Sequence, residues 1–146
     1  MRPVLPSGAD IDHVGATAVP GCLSKGDLDI AVRVEPHGFD AADEVLSQRF
    51  ERNSASLRTP DFAAFENHGL HPAVGIQLMV RGSALDVFVR FRDRLRTDAK
   101  LLRRYNALKL RCEGMPMADY RILKSDFIAA ALLQHPQRDR DATCSD

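Results

Sequence analysis

Apolar and polar residues alternate in residues 10–14 and 27–34, with the period of two that is typical of strands that bury one face, and residues 74–81 and 84–91 are two further apolar stretches. Within residues 27–34, for example, leucine, isoleucine or valine occupies every second position. Residues 81–83 contain a glycine and separate the last two stretches, which predicts a hairpin connection. The predicted strands are residues 10–14, 27–34, 74–81 and 84–91.

Three other segments repeat apolar residues every three or four positions, the spacing of one helix face. They predict helices at residues 39–50, 92–113 and 117–134. The Thr97-Asp98 pair is typical of a helix start and predicts an interruption in the second of these. Pro136 predicts the end of the third. Residues 51–73 show neither period and receive no assignment.

The predicted order of elements is strand, strand, helix, strand, strand, helix, helix. This order indicates an α+β domain, residues 1–134, in which helices cover a small mixed β-sheet. Residues 1–9 contain two prolines and a glycine and are predicted as a lead-in. Residues 135–146 are predicted to form a disordered polar tail.

Composition excludes several classes of protein. The 146 residues include 20 Lys and Arg and 20 Asp and Glu, so the net charge is zero and a protein that coats nucleic acid is not expected. Hydrophobic residues make up 45%, which excludes a charge-rich disordered chain. No apolar run approaches the roughly 18–20 residues that span a membrane. Three cysteines without CxxC spacing predict free thiols and a cytoplasmic protein.

The charges are unevenly distributed along the chain. Residues 1–50 carry a net charge of −4 and residues 91–134 a net charge of +5. The two segments can be complementary within the fold, or they can form a cation site and an anion site. Charge counting favours the first interpretation and leaves both open.

Three aspartates are candidates for a metal site. Asp27 and Asp29 lie two positions apart on a predicted strand, so their carboxylates share a face and repel each other unless a cation lies between them. Hard oxygen ligands of this kind suit Mg²⁺. Asp86 lies among apolar residues of the predicted strand 84–91 and would complete a three-carboxylate site if that strand lies beside residues 27–34. The alternative is that Asp27 begins the strand as a turn residue and Asp86 pairs with an arginine on a solvated face.

Small residues follow the first predicted strand, at Gly15, Ala16 and Thr17. They allow backbone N–H groups to approach a phosphate closely, and the Thr17 hydroxyl can add a donor. The alternative is an ordinary tight turn. His13, just ahead of this turn, is expected to be a structural hydrogen-bonding residue rather than a catalytic base.

The string Ile11–Gly21 (IDHVGATAVPG), followed by Ser24-Lys25 and later by Asp-Leu-Asp-Ile, resembles the GrpB (UPF0157) family of the nucleotidyltransferase superfamily. Looser similarities are residues 89–96, Tyr105–Lys109, and Tyr120 with Lys124. The resemblance covers roughly residues 10–130. Two departures are Ala16, where the family usually has serine, and Asp27, where many relatives have an apolar residue.

This resemblance implies a nucleotidyltransferase-like fold and Mg²⁺-dependent handling of a nucleoside triphosphate such as ATP, with Mn²⁺ as a substitute ion and an unknown hydroxyl acceptor. Asp27 and Asp29 would hold the metal on the triphosphate, and Asp86 would bind a second metal and help deprotonate the acceptor. These three are therefore the predicted catalytic and metal-binding residues. The predicted nucleotide- and phosphate-binding residues are Gly15, Ala16, Thr17, Lys25, Arg92, Arg96, Lys109 and Lys124.

The alternative for each of the basic residues is a surface cation paired with a nearby aspartate. The resemblance also implies a further helix ahead of the glycine turn, and its absence from this chain favours a homodimer. No membrane and no extended nucleic acid is expected as a partner. Three hypotheses stay open: a nucleotidyltransferase, a nucleotide-binding domain without transfer activity, and a structural or interaction domain.

Overall fold

A five-stranded mixed sheet underlies the first part of the protein. The computed structural model describes residues 5–144, with side chains as far as Leu133. The sheet has the order β1-β2-β5-β4-β3, and four helices accompany it, so the predicted α+β class is confirmed. The strands are β1 (Asp10–Val14), β2 (Leu28–Val34), β3 (Glu51–Arg52), β4 (Phe62–Asn67) and β5 (Val74–Val80). The helices are α1 (Phe39–Arg49), α2 (Phe88–Thr97), α3 (Ala99–Arg111) and α4 (Met117–Cys144).

The described chain divides into two compact units. The first contains the residues up to Ala18 together with Ser24–Val89, and the second contains Val19–Leu23 and the residues from Arg90 onward. The second unit therefore includes a five-residue segment that lies, in the sequence, between two parts of the first. Among the described residues, no helix is both long enough and apolar enough to cross a membrane.

The central pairing of the sheet is parallel. β2 and β5 run side by side with Asp29 opposite Gly75 and Val34 opposite Val80. The outer pairs, β1 with β2 and β4 with β5, are antiparallel. A parallel pair needs a long crossover connection, and here α1, β3 and β4 lie within it.

The alternation predicted for β2 separates two cores. Val32 and Val34 face one way and pack with Phe39, Ala42 and Leu46 of α1. On the opposite face, a second buried cluster contains Val14, Ala31, Phe62, Ala64 and Met79 and packs against residues that include Leu85 and Phe88. Both faces of the sheet are therefore covered within the first unit.

β4 lies in the stretch that received no assignment from the sequence. Its first four residues, Phe62–Phe65, are all buried. A strand that is buried on both faces shows a continuous apolar run instead of alternation. This is why the period-two signal failed here.

The prediction of a strand at residues 84–91, joined by a hairpin at 81–83, was wrong. A run of turns follows β5, and Phe88 then begins α2. The Ser83 N–H donates to the Val80 carbonyl, and the Asp86 N–H donates to the Ser83 carbonyl, at 3.0 Å each. These bonds close the chain into turns, and so the apolar residues around Asp86 pack without forming a strand.

Asp86 anchors these turns by its carboxylate. Arg33 donates to it from Nε to Oδ1 at 2.8 Å and from Nη2 to Oδ2 at 2.9 Å, and the Gly82 N–H donates to Oδ2 at 2.7 Å. Asp86 is only 6% exposed. The hydrogen bonds with Asp86 raise the pKa of the Arg33 guanidinium, so this is a charged pair.

The helices after β5 agree more closely with the prediction from the sequence. The predicted interruption near Thr97 is confirmed, since α2 ends at Thr97 and the Asp98 side chain accepts from the Leu101 N–H at 3.1 Å to cap α3. Phe91, Tyr105 and Phe127 form a ring cluster with centroids 5.1–6.1 Å apart. α4 runs to Cys144, past the end predicted at Pro136, so it overlaps the predicted tail of residues 135–146; Ser145 and Asp146 lie outside the described residues.

One further ion pair joins α1 to β3. Arg52 Nη1 and Nη2 donate to the two carboxylate oxygens of Asp43 at 2.9 and 2.6 Å. These hydrogen bonds lower the pKa of the Asp43 carboxyl, although partial desolvation opposes them. The pair therefore stabilises the folded state only while Asp43 is ionised.

We expect the Asp86→Asn variant to lose about 2 kcal/mol of unfolding free energy, because it leaves the Arg33 guanidinium without its counter-charge. The loss is smaller than for a fully buried pair, since the Arg33 side chain is 25% exposed and can be hydrated. Urea denaturation of Asp86→Asn, Arg33→Met and the double variant measures the coupling between the two. Asp61→Asn, at an exposed site, is the matched control. Strictly additive losses in the cycle would contradict the pairing.

The Asp43–Arg52 pair predicts a pH dependence of stability. Because the folded-state pKa of Asp43 lies below its unfolded value, the contribution is present above the unfolded pKa and is lost as the pH falls through the folded pKa. Asp43→Asn should therefore be less stable than the wild type by about 1 kcal/mol at neutral pH, and the difference should shrink between about pH 5 and pH 3. Urea denaturation at each pH measures it. Glu44→Gln, at an exposed position past the first turn of the same helix, is the matched control. A pH-independent difference for Asp43→Asn would refute the argument.

Candidate functional site

The carboxylate of Asp29 lies between two glycines at the start of β2. A Cβ atom built on Gly15 would collide with Asp29 Oδ2, and one built on Gly75 would lie 3.0 Å from Asp29 Oδ1. Gly75 lies opposite Asp29 on β5, and Gly15 directly follows Val14, the last residue of β1, which lies opposite Asp29 on the other side. The carboxylate therefore occupies a space that exists only because two side chains are missing.

The two glycines serve Asp29 differently. Gly15 has a φ of 76°, in the left-handed region that other residues rarely adopt, and the Ala18 N–H closes the turn onto its carbonyl at 3.1 Å. Gly75 pairs regularly with β2 and β4, and glycine is needed there for space. The turn that contains Gly15, Ala16 and Thr17 thus packs against a carboxylate, which an ordinary tight turn does not require.

A hydrogen-bonded chain connects this turn to the residue before β2. The Thr17 hydroxyl donates to the Asp27 carbonyl at 3.1 Å, and Thr17 Oγ1 lies 2.8 Å from His13 Nε2. A hydroxyl has a single proton, so Thr17 Oγ1 accepts from the Nε2–H of His13 while it donates to Asp27. His13 therefore contacts the glycine turn through Thr17, and the Thr17 proton predicted for a phosphate is donated within the protein.

Asp27 and Asp29 lie together at the amino-terminal end of β2. Asp27 is exposed and immediately precedes the strand, and Asp29 is its second residue. The structure therefore brings Gly15, Thr17, Asp27 and Asp29 to one place, as the sequence predicted.

Asp86 lies elsewhere. It binds Arg33, which is four residues from Asp29 along β2, a separation of about 13 Å along the strand. Both of its carboxylate oxygens accept charge-assisted or backbone hydrogen bonds. The strand that was to bring Asp86 beside Asp29 does not form, and the alternative pairing with an arginine is the one found. In contrast to the solvated pair expected for that alternative, Asp86 is buried.

The donor set at Asp27 and Asp29 suits one type of cation site. Among the described side chains, no group of three or more histidines, cysteines, aspartates or glutamates has the arrangement of a metal site. Mg²⁺ is commonly bound by one or two carboxylates together with substrate phosphates. Asp27 and Asp29 therefore fit an ion that arrives with a phosphate ligand, whereas a site built from three carboxylates, with a second ion on Asp86, does not fit.

The sequence pattern did not indicate two polar residues on the same sheet face as Asp29. Glu66 lies opposite Gly75 on β4, so it belongs to the same row of the sheet as Asp29, and its Oε1 is 2.9 Å from His68 Nε2. Gln77 Nε2 approaches the same point above Gly75, at 3.7 Å from a Cβ built there. The sequence did not indicate Glu66 because residues 51–73 had no assignment. It did not indicate Gln77 because this amide lies in an apolar run.

The predicted phosphate-binding cations occupy varied environments. Lys25 is exposed in the first unit. Arg92 Nη2 lies 2.9 Å from the carboxylate of Asp93, the kind of pair that the sequence offered as its alternative role. Arg96 is exposed and Lys124 is half-buried in the second unit. Their predicted role toward phosphate stays a prediction.

Lys109 and Asn106 hold the segment Val19–Leu23 within the second unit. Lys109 Nζ donates to the Leu23 carbonyl at 2.6 Å and lies 4.8 Å from the centre of the Tyr105 ring. The Asn106 side chain accepts from the Leu23 N–H at 2.9 Å and donates to the Gly21 carbonyl at 3.0 Å. Asn106 and Lys109 therefore bind the backbone at Gly21 and Leu23, and the role of Lys109 toward phosphate stays a prediction.

Comparisons with known proteins agree on the family. The model of the family described as GrpB protein matches residues 1–134. A UPF0157 protein of Vibrio cholerae is 41% identical over 127 residues, which cover 86% of this chain and 67% of that protein. A UPF0157 protein of Streptomyces coelicolor is 34% identical over 131 residues, 84% of this chain and 68% of that protein.

A solved structure shares the fold. The crystal structure of conserved protein GrpB from Enterococcus faecalis matches with a TM-score of 0.64 at 17% identity, covering 86% of this chain and 81% of that one. At this identity the likeness concerns the fold alone. The family model and the two relatives carry the assignment, and by them the chain belongs to the GrpB (UPF0157) family.

Proposed function

We propose that the protein binds a nucleoside triphosphate with Mg²⁺ at Asp27 and Asp29 and transfers its nucleotidyl group to a hydroxyl acceptor. The observation that carries this proposal is the position of the Asp29 carboxylate, held between Gly15 and Gly75 at the glycine turn. Glycine at both positions leaves room for this one carboxylate, and a carboxylate held in place can bind an ion that also binds substrate phosphates.

The residues have separate roles in this proposal. Asp27 and Asp29 would hold the ion, which when bound neutralises charge on the phosphates and aligns them. Gly15 and Gly75 position Asp29, and the His13–Thr17 pair ties the turn to the Asp27 backbone. Lys25, in the same unit as Asp27 and Asp29, is the cation proposed for the triphosphate, and the roles of Arg92, Arg96, Lys109 and Lys124 toward phosphate stay predictions of the sequence.

The proposed reaction replaces one phosphorus–oxygen bond with another. The acceptor hydroxyl oxygen attacks the α-phosphorus, pyrophosphate leaves, and the hydroxyl proton passes to water or to a base of the site. Asp86 takes no part in this version, because its oxygens bind Arg33 and Gly82. Its role changes from the predicted catalytic acid–base group to a structural one.

A second candidate is nucleotide binding without transfer. The engagement of Asp86 with Arg33 favours it, because the pair Asp27 and Asp29 then lacks the third carboxylate that the predicted two-metal mechanism used. The two candidates share the Asp27 and Asp29 site and differ in turnover.

The homodimer stays a prediction of the sequence.

Binding of ATP and GTP to the full chain, measured by calorimetry with and without Mg²⁺, tests the shared part of both candidates. We expect Mg²⁺-dependent binding that Asp29→Asn weakens by about tenfold or more, since a charge-assisted ligand is lost. Asp40→Asn, on an exposed helix position, is the matched control and should bind as the wild type does. Gly75→Ala keeps every acidic group but displaces Asp29 Oδ1, and it should also weaken binding.

Turnover separates the candidates. Radiolabelled triphosphate incubated with hydroxyl acceptors should release pyrophosphate in a Mg²⁺-dependent manner that Asp29→Asn abolishes. Binding without turnover would support the second candidate. Folded Asp86→Asn protein should keep nucleotide binding. If this variant is folded but binds no nucleotide, Asp86 belongs to the nucleotide site. If the wild type binds no nucleotide with Mg²⁺, both candidates are wrong.

A further inference from the structure

A cavity of about 220 Å³ lies at the far edge of the sheet, beside β3 and the chain that leads from it to β4. Its polar wall contains Arg52, Ser54, Ser56 and Arg58, and its apolar wall contains Leu57 and Ala64. In the order β1-β2-β5-β4-β3, β3 is three strands away from β2, or roughly 14 Å. The cavity is therefore separate from the Asp27 and Asp29 site.

The lining is positively charged. It includes two arginines and no acidic residue. Asp43, outside the lining, accepts two hydrogen bonds from Arg52 on its two oxygens, which balances that arginine. Arg58 Nη2 lies 3.9 Å from Asp43 Oδ2, too far for a hydrogen bond, and its side chain is 64% exposed. The cavity thus keeps about one net positive charge, with the guanidinium donors of Arg58 not hydrogen-bonded to the described residues.

The cavity wall is held in shape by contacts on both sides. The Arg52 guanidinium lies 5.1 Å from the centre of the Phe65 ring, in addition to its pair with Asp43. The Asn53 N–H donates to the Ala64 carbonyl at 2.9 Å, and the Ser56 N–H donates to the Asn53 carbonyl at 3.0 Å. The turn that contains Ser54 and Ser56 is therefore fixed to β4.

We propose that this cavity binds the phosphate group of a small phosphate monoester. Arg58 offers the planar pair of donors that matches phosphate oxygens, and the Ser54 and Ser56 hydroxyls add neutral donors. No carboxylate in the lining repels an anion. Leu57 and Ala64 give the organic part of the ligand an apolar wall.

The cavity volume limits the size of the part of the ligand that it can hold. Pockets for drug-sized ligands measure about 300–1,000 Å³. A cavity of 220 Å³ is smaller and suits a phosphate group with a few carbon atoms. This favours a small metabolite over a phosphorylated peptide, which would need a longer groove.

NMR titration of the full-length ¹⁵N-labelled chain, without Mg²⁺, tests the proposal with inorganic phosphate and glycerol 3-phosphate as probes. Saturable shifts should centre on residues 52–58, with glycerol 3-phosphate binding more tightly than inorganic phosphate because of the apolar wall. Uncharged glycerol is the ligand control. Arg58→Gln should weaken binding by about tenfold or more. Arg49→Gln, on an exposed position of α1, should bind as the wild type does.

Further variants separate this proposal from the function proposed above. Asp29→Asn should keep glycerol 3-phosphate binding at residues 52–58, so failure at one site does not imply failure at the other. Ser56→Ala, which leaves both arginines in place, should weaken binding by less than Arg58→Gln. Equal binding by wild type and Arg58→Gln, or shifts centred elsewhere, would overturn the proposal. A phosphoserine peptide that binds at least tenfold more tightly than glycerol 3-phosphate would overturn the choice of a small molecule.

Discussion

The parallel pairing of β2 with β5 is the constraint on which the first unit depends. It places Asp29 opposite Gly75 and sets which residues of β2 face each of the two cores. A one-residue shift in this register would move Asp29 away from Gly75 and turn the apolar residues of β2 toward the wrong side. The crossover that the pairing requires carries α1, β3 and β4, so the phosphate cavity at β3 also exists because of it.

Several carboxylates of this fold form ion pairs with arginines. Asp86 is buried but bound by Arg33, and Asp43 is bound by Arg52. Arg81 joins Asp10 and Glu35 at 2.8 and 2.6 Å. The acids of residues 1–50 that form these pairs use arginines of residues 51–90, so part of the acidic excess serves internal pairing. The proposed cation site at Asp27 and Asp29 uses the acids at the opposite end of β2 from Arg33.

The basic segment is also divided between structure and proposed function. Arg94 is buried and lies 3.4 Å from Asp98, and Lys109 holds the backbone of Leu23. A buried cation that is only partly hydrogen-bonded costs free energy, and Arg94 Nε has no partner among the described residues. Arg94 and Lys109 are therefore engaged within the second unit, and the net charge of the basic segment overstates the number of cations available for phosphate.

The sequence by itself determined the elements whose pattern is local. The alternation in β2, the helical period of α1 and the Thr97-Asp98 interruption are read from neighbouring residues, and all three are present. The glycine turn and the Asp27–Asp29 pair were also found, because each is a short local pattern beside a predicted strand. Only the tertiary structure could place Asp86, since turn formation after β5 and the reach of Arg33 are decided by contacts between distant segments. The same holds for β4, whose burial on both faces removed its periodic signal, and for Gly75 and Arg58, whose roles depend on what packs beside them.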